Sequence, residues 1–247
     1  MDQTDLDTLI GHLVIANRVL AHEDVVDAYG HVSVRHPHNP DRFFIARSVA
    51  PGLVTRDDIV ELDMNGDPVA GDGRALYLER FIHAGVYAAR PDVNAVVHAH
   101  AEATLPYCVT TDVPLRPIIH SGSFIGAHVP LWDIADEFGD TTNLLVADIA
   151  QGDSLARTLG PNNVVLMRGH GFTAASRSLI EVLRIAVYLP RNARVQTAAL
   201  GLGGRIRWLS KGEIAAREAK DYDPNSVATQ RAWEYWAIQC GCSDMLQ

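Results

Sequence analysis

Cysteine, excess basic charge and long apolar runs are all scarce in this sequence of 247 residues. Its 3 cysteines are an odd number, and two of them, Cys240 and Cys242, flank a single glycine, which does not fit the disulfide framework of a small secreted domain. No stretch approaches the roughly 18–20 apolar residues of a membrane-spanning helix. The first residues carry acids where a secretory signal carries Lys or Arg. We therefore expect a cytoplasmic protein without a membrane partner.

The charge balance argues against a further class of partners. The chain has 21 Lys and Arg against 30 Asp and Glu, a formal net charge of −9, and no block of like charges. Because a phosphate backbone attracts basic surfaces, nucleic acid is not an expected partner. Repeats, low-complexity tracts and an evident linker are also lacking, and 47% of the residues are hydrophobic. This composition is enough for the core of one large domain.

Hydrophobic periodicity predicts an alternation of helices and short strands. Helical spacing of apolar residues occurs over residues 4–21, 76–89, 178–202 and 226–240. Strand-like apolar runs occur over residues 30–35, 43–46, 59–63, 94–98 and 163–167. Pro190, inside the third helical stretch, is expected to kink or interrupt it. The pattern indicates a mixed α/β domain.

Histidine is abundant, and three of the 11 histidines stand where a metal site would need them. His98 and His100 follow a compact apolar run, and residues two apart on a strand project to the same face. His170 follows a second such run and is flanked by glycines, which let the backbone approach a site closely. A catalytic metal is commonly held by three protein ligands, which leaves coordination positions open for water or substrate. Three imidazoles match that number. Taken alone, the pair could also be a polar strand end and His170 a loop histidine.

Glu79 lies in the predicted helix that precedes the strand of the histidine pair, in the segment LYLERFIHAGVY. Its apolar neighbours suggest a covered position, and a carboxylate near a metal cavity is a candidate general acid or base. His83, one helical turn later, either orients Glu79 or serves packing.

At these residues the sequence resembles the class II aldolase/adducin family. The matching segments are Glu79 with His83, the run from Arg90 to His100, the run from Val165 to Gly171, and residues 30–33. The similarity covers roughly residues 5–205. It implies an α/β fold, a three-layer α/β/α single domain around a mostly antiparallel central sheet. It also implies a homotetramer with active sites at subunit interfaces.

The resemblance assigns roles by position. It implies that His98, His100 and His170 bind one divalent metal ion per subunit. This ion would be zinc or manganese, with cobalt or iron as alternatives. The resemblance also implies that Glu79 is the acid/base. It also implies a catalytic domain over residues 1–210 and a helical extension over residues 211–247. We expect this extension to pack on the domain or on a neighbouring subunit.

Two departures from the sugar-phosphate aldolases of the family bear on the substrate. His31 stands where those enzymes have Asn, and Tyr77-Leu78 replaces a phosphate-binding Ser-Ser pair. Phosphate recognition by the usual route is therefore not expected. The side chains around these loops suit a substrate carboxylate or phenolic oxygen instead, since arginine binds carboxylates through a bidentate fork. The expected substrate-binding residues are Arg47, Ser48, Tyr77 and Arg116, and His31 and His120 join Glu79 as catalytic candidates.

Several segments are most similar to the decarboxylase branch of the family, which includes 3,4-dihydroxyphthalate decarboxylases and a hydroxymethylpyridine-dicarboxylate decarboxylase. We therefore predict a metal-dependent decarboxylase of a hydroxylated aromatic or heteroaromatic carboxylate in aromatic catabolism. Loss of CO2 would leave an electron pair that a metal-held oxygen stabilises as an enolate. The alternatives are an aldolase or epimerase acting on a sugar or keto acid, an adducin-like module without catalysis, and an iron dioxygenase.

Overall fold

A seven-stranded mixed sheet lies at the centre of the computed structural model, which describes residues 3–69, 71–218 and 226–246. The strands are β1 (His31–Arg35), β2 (Arg42–Ala46), β3 (Ile59–Asp63), β4 (Ala95–Ala99), β5 (Leu131–Trp132), β6 (Val164–Met167) and β7 (Gly171–Ser176). Their order is β3-β2-β1-β4-β7-β6-β5, and every pair except β5 with β6 is antiparallel. The predicted mostly antiparallel sheet is confirmed.

Helices cover both faces of this sheet. They are α1 (Gln3–His22), α2 (Arg80–Ala89), α3 (Leu105–Val109), α4 (Ala135–Phe138), α5 (Ile149–Leu159), α6 (Leu179–Gly201), α7 (Lys211–Glu218) and α8 (Val227–Gln239). Core residues of α1, α6 and α8 pack on one face, and those of α2 and α5 pack on the other. The result is the expected three-layer α/β/α arrangement. Among the described helices, none combines the length and apolarity needed to cross a bilayer.

The central strands are buried on both faces because helices cover both. Every residue of β4 is buried, with Val97 in the core under α1 and α6 and Val96 in the core under α2 and α5. A strand that is buried on both faces is expected to carry apolar residues at every position, and β4 does so up to His98. A polar side chain on the α2 side of β4 is therefore enclosed between the sheet and that helix.

The structure corrects three details of the predicted elements. The helix expected from residue 76 begins at Arg80, with Glu79 as its N-cap residue. Helix α6 continues across Pro190, which is buried beside Leu189 and Ala193, so the apolar packing on both sides holds the helix together. Strand β7 was not anticipated, because Phe172 and Thr173 are its only strong strand formers and the other four residues are Gly, Ala or Ser; it forms between β4 and β6.

The C-terminal segment packs on the same domain. Trp233 and Trp236 of α8 belong to the core cluster that also contains residues of α1 and α6. Residues 219–225 lie outside the described residues. The boundary at residue 210 stays a prediction.

Candidate active site

Two histidines face each other across neighbouring strands. His98 near the end of β4 is the register partner of His31 at the start of β1. Directly opposed residues of an antiparallel pair project to the same face of the sheet, and this face is the one covered by α2. Their ring centroids are 5.1 Å apart, and both side chains are almost fully buried. His100 directly follows β4, two residues after His98, and the ring centroids of these two histidines are 4.8 Å apart.

The turn between β6 and β7 brings the third histidine to this place. Gly169 adopts a φ of +63°, a backbone conformation that glycine reaches without strain. Gly171 begins β7 so close to β4 that an added Cβ would lie 2.2 Å from the carbonyl oxygen of Ala99. The glycines on either side of His170 therefore serve a turn and a close strand approach, which together place its ring against His100.

The three imidazoles converge through the same ring nitrogen. The Nε2 atoms of His98 and His100 are 3.0 Å apart, and those of His100 and His170 are also 3.0 Å apart. The Nδ1 atoms of His98 and His170 contact the carbonyl oxygens of Phe172 and Leu144 at 3.1 and 2.8 Å. Because a carbonyl can only accept, these nitrogens carry the protons, and the Nε2 atoms of neutral His98 and His170 present lone pairs.

Glu79 completes the cluster from the beginning of α2. Its Oε1 accepts a hydrogen bond from the backbone N–H of Val146 at 3.1 Å. Its Oε2 lies 3.4 Å from Nε2 of His98 and 3.5 Å from Nε2 of His170. Burial raises the pKa of Glu79, whereas a positive charge on the imidazoles of His98 and His170 would lower it by more, to well below the usual range.

This donor set fits a divalent cation. The ligand atoms of Glu79, His98, His100 and His170 all lie within 4.8 Å of one another. Imidazole lone pairs and a carboxylate that face each other repel unless a positive charge lies among them. Carbonyl oxygens behind two of the imidazoles hold the tautomer that a metal ligand needs. The structure thus brings together the four residues that the sequence predicted for metal binding and acid/base chemistry.

His31 and Tyr77 form one edge of the cluster. Their ring centroids are 4.7 Å apart, and the Tyr77 hydroxyl donates a hydrogen bond to the carbonyl oxygen of Val49. Tyr77 thus links the loop that precedes α2 to the loop that follows β2. In that second loop Arg47 pairs with Asp58, at 2.7 Å between Nε and Oδ1, and Ser48 is exposed.

Arg116 and His120 lie in a different part of the chain and are exposed. The Arg116 guanidinium packs over the ring of Trp208, 4.8 Å from its centroid, and its backbone N–H donates to Gln196 of α6. Among the described residues, no hydrogen bond or ion pair connects Arg116 or His120 to the histidine cluster. Their role in substrate binding or catalysis stays a prediction.

Sequence analysis missed a set of buried polar side chains behind His31. Nδ1 of His31 lies 2.6 Å from Nε2 of His83, so His83 contacts His31 rather than orienting Glu79. Behind His83 lie Ser33 and Tyr87, both buried. The available signal was spacing: His31 and Ser33 are two apart on a strand, and His83 and Tyr87 are four apart on a helix.

Comparisons with known proteins agree with this fold. Residues 11–197 match the family described as Class II Aldolase and Adducin N-terminal domain. The chain is 38% identical over 240 residues to Decarboxylase tropJ of Talaromyces stipitatus, covering 88% of each chain. It is 30% identical over 241 residues to a 3,4-dihydroxyphthalate decarboxylase of Arthrobacter keyseri, covering 90% of each. Its fold resembles that of L-fuculose 1-phosphate aldolase from Glaciozyma antarctica, with a TM-score of 0.75, 20% identity, and coverage of 95% of this chain and 90% of that one.

Proposed function

Because this chain belongs to the class II aldolase and adducin family, we propose that it is a divalent-metal-dependent decarboxylase of a hydroxylated aromatic or heteroaromatic carboxylate. The observation that carries the proposal is the convergence of three imidazole Nε2 atoms beside the Glu79 carboxylate. Similarity to two decarboxylases over about nine tenths of the chain favours decarboxylation over aldol cleavage.

The proposed ligands of the metal are His98, His100 and His170. When bound, a zinc or manganese ion at this place would supply a Lewis acid that stabilises negative charge on a substrate oxygen. Cobalt and iron are also compatible with three imidazoles. The enclosed position of His98 between sheet and helix keeps water away from part of the site, which strengthens such electrostatic interactions.

Glu79 is the proposed carrier of the proton. In the reaction the bond between ring carbon and carboxylate breaks, its electron pair stays on the ring carbon, CO2 leaves, and the ring carbon takes up one proton. The Val146 N–H holds one carboxylate oxygen of Glu79, which leaves Oε2 directed at the cluster. A carboxylate fixed in this way can receive the proton of a substrate hydroxyl and deliver it to the ring carbon.

Substrate recognition is proposed for Tyr77 at the edge of the cluster, and for Arg47 and Ser48 in the loop that the Tyr77 hydroxyl contacts. Tyr77 and Leu78 stand before Glu79 and offer no pair of small hydroxyls, which supports a substrate without phosphate. The Arg47 guanidinium is about a third exposed beside Asp58, so a substrate carboxylate can reach it.

We further propose a cytoplasmic homotetramer with sites between subunits, acting in aromatic catabolism. In that assembly the exposed Arg116 and His120 are available to the site of a neighbouring subunit. Light scattering coupled to size exclusion tests this assembly: a mass near four times 26.9 kDa is expected, and a monomer would contradict it.

Aldol cleavage is the second candidate, because the fold resembles an L-fuculose 1-phosphate aldolase. Both reactions leave an electron pair on carbon next to an oxygen that a cation can hold, so the same residues suit both. Retro-aldol assays with phosphorylated and free sugars separate the two. An adducin-like module without catalysis would have no need for the converging imidazoles.

The decisive experiment measures CO2 release. Protein stripped of metal and reloaded with Mn²⁺ or Zn²⁺ is assayed with 3,4-dihydroxyphthalate and a panel of other ortho-hydroxylated aromatic dicarboxylates. We expect metal-dependent release that Glu79→Gln reduces by about 10²–10⁴-fold, with the metal retained. His98→Ala is expected to lose both metal and activity, and His38→Ala, which changes an exposed histidine, neither. No release from any acid by metal-loaded protein would contradict the proposal.

A further inference from the structure

Four buried side chains form a continuous hydrogen-bonded relay that ends at the active site. Nδ1 of His31 lies 2.6 Å from Nε2 of His83, and Nδ1 of His83 lies 2.5 Å from Oγ of Ser33. Oγ of Ser33 lies 2.8 Å from the hydroxyl oxygen of Tyr87. None of the four side chains is more than 4% exposed, so water does not replace a lost partner. We call this set the His31 relay.

The direction of the hydrogen bonds follows from counting protons, beginning at Tyr87. The Tyr87 hydroxyl contacts Oγ of Ser33 and the backbone N–H of Val96, and of these two only Ser33 can accept a proton. Burial raises the pKa of Tyr87, so the hydroxyl keeps its proton. A buried O–H without an acceptor is costly. The Tyr87 hydroxyl therefore donates to Ser33.

The remaining protons then have one arrangement that satisfies every donor. Ser33 accepts from Tyr87, so its own proton is donated to Nδ1 of His83. Neutral His83 consequently carries its proton on Nε2 and donates it to Nδ1 of His31. Neutral His31 in turn carries its proton on Nε2. The opposite direction would leave the Tyr87 proton without an acceptor.

Neutral imidazoles agree with their surroundings. Burial, the largest cause, and a charge on His98 together lower the pKa of His83 to about 3, while Glu79 opposes them. Burial is also the largest cause of the lowered pKa of His31. The geometry of the relay, with one short N···N contact between the two rings, allows one proton between them.

The free ring nitrogen of His31 belongs to the active site. His31 and His98 project from the same face of the sheet, with ring centroids 5.1 Å apart. Nδ1 of His31 faces Nε2 of His83 on α2. Within the described part of the chain, Nε2 of His31 has no hydrogen-bond partner. A ring with one nitrogen held from behind presents the other to whatever occupies the cluster.

We infer that the His31 relay holds His31 in the tautomer with its proton on Nε2, so that His31 is a hydrogen-bond donor to a substrate oxygen. This inference rests on the proposed function for the identity of that oxygen, which belongs to the carboxylate or hydroxyl of the aromatic acid. His31 then orients the substrate and does not accept a proton. His83, Ser33 and Tyr87 are positioning residues that act through His31.

The tautomer can be measured directly by 15N NMR of histidine-labelled, zinc-loaded protein. The spectrum of His31→Gln identifies the His31 signals by their absence. We expect a protonated Nε2 and an unprotonated Nδ1 for His31, and the same pattern for His83. An unprotonated Nε2 on His31, with the proton on Nδ1, would overturn the inference.

Variants of His83 test whether the relay is responsible. His83→Phe keeps a ring but removes the donor, and is expected to broaden or mix the His31 tautomers and lower kcat/KM by about 10- to 100-fold. His83→Gln retains an N–H near the position of Nε2 and should recover most of the activity. The control His12→Phe changes a histidine next to Trp233 on the other face of the sheet and should leave the His31 signals unchanged. If His83→Phe leaves the tautomer and kcat/KM unchanged, the relay does not position His31.

The two readouts separate this inference from the proposed function. The NMR pattern needs no turnover, so a protonated Nε2 without CO2 release supports the relay and contradicts the decarboxylase. CO2 release by a protein whose His31 carries its proton on Nδ1 supports the decarboxylase and overturns the relay.

Discussion

The histidines of the site differ in what their second ring nitrogen contacts. Nδ1 of His98 and of His170 face carbonyl oxygens, which leaves lone pairs directed at the cluster. Nδ1 of His31 faces another imidazole, which leaves an N–H. The same residue type therefore offers a lone pair at two positions and a hydrogen-bond donor at a third. Backbone carbonyl oxygens behind His98 and His170, and the His83 side chain behind His31, make this distinction.

The buried imidazole of His83 predicts acid sensitivity. Its pKa is about 3 in the folded protein and near 6.5 in the unfolded chain. Between these values the unfolded state binds a proton that the folded state does not, so the free energy of unfolding falls as the pH falls from 6.5 towards 3. This contribution is fully present above pH 6.5, and its loss amounts to about a few kcal/mol.

Urea titrations of metal-free protein at a series of pH values check this expectation. His83→Gln should make the free energy of unfolding less dependent on pH within the window, and His38→Gln, at an exposed position, should not. An unchanged slope in His83→Gln would show that other groups cause the acid sensitivity.

At the scale of secondary-structure elements, the site depends on how closely α2 and α5 pack. A Cβ added to Gly152 of α5 would lie 2.2 Å from the carbonyl oxygen of Phe81, and one added to Gly85 of α2 would lie 2.5 Å from the backbone of Gly152. The two helices meet backbone to backbone at these glycines. Since Glu79 is the N-cap residue of α2 and His83 belongs to this helix, the contact sets the distance of both side chains from the sheet.

Substituting Gly152→Ala should separate the two helices. Because the obstructing atoms belong to the backbone, we expect a loss of at least ~1–3 kcal/mol in the free energy of unfolding. We also expect weaker Zn²⁺ binding, because Glu79 and His83 move with α2. Thermal denaturation and metal titration measure the two effects.

The matched control is Gly201→Ala at the end of α6, where an added Cβ meets nothing within 4 Å. It should leave Zn²⁺ binding unchanged and the melting temperature equal or higher. If Gly152→Ala also behaves in this way, the helix contact does not constrain the site.

At the scale of the whole molecule, the cluster joins parts of the chain that are distant in sequence. Its residues come from the start of α2, the end of β4 and the β6–β7 turn, and Leu144 and Val146 support them from a further loop. A cation at this place would bind the folded state and not the unfolded chain. Metal binding should therefore stabilise the molecule globally.

We expect removal of metal by a chelator to lower the melting temperature by several degrees. Zinc at about 100 times its Kd adds ~2.7 kcal/mol to the free energy of unfolding if it binds only the folded state. His98→Ala should abolish the response of the melting temperature to Zn²⁺, whereas His128→Ala, at an exposed position, should keep it. A melting temperature that is independent of metal in the unmodified protein would argue against the cluster as a binding site.

Much of this protein could be predicted from local sequence patterns. The strands around β4 and β6, the long helices, and the grouping of Glu79 with His98, His100 and His170 all follow from period, spacing and family resemblance. These features depend on neighbours along the chain or on short motifs. Periodicity alone could not anticipate β7, whose small residues form a strand only because β4 and β6 lie on either side.

The sequence by itself determined the residue types of the site, the alternation of helices and strands, and the acidic charge balance that disfavours nucleic acid as a partner, because composition and spacing carry that information. Only the tertiary structure decided which histidine contacts which. It paired His83 with His31 rather than with Glu79, and it brought Ser33 and Tyr87 behind them. These contacts depend on strand register and on the glycine contact between α2 and α5, both of which join residues far apart in the chain.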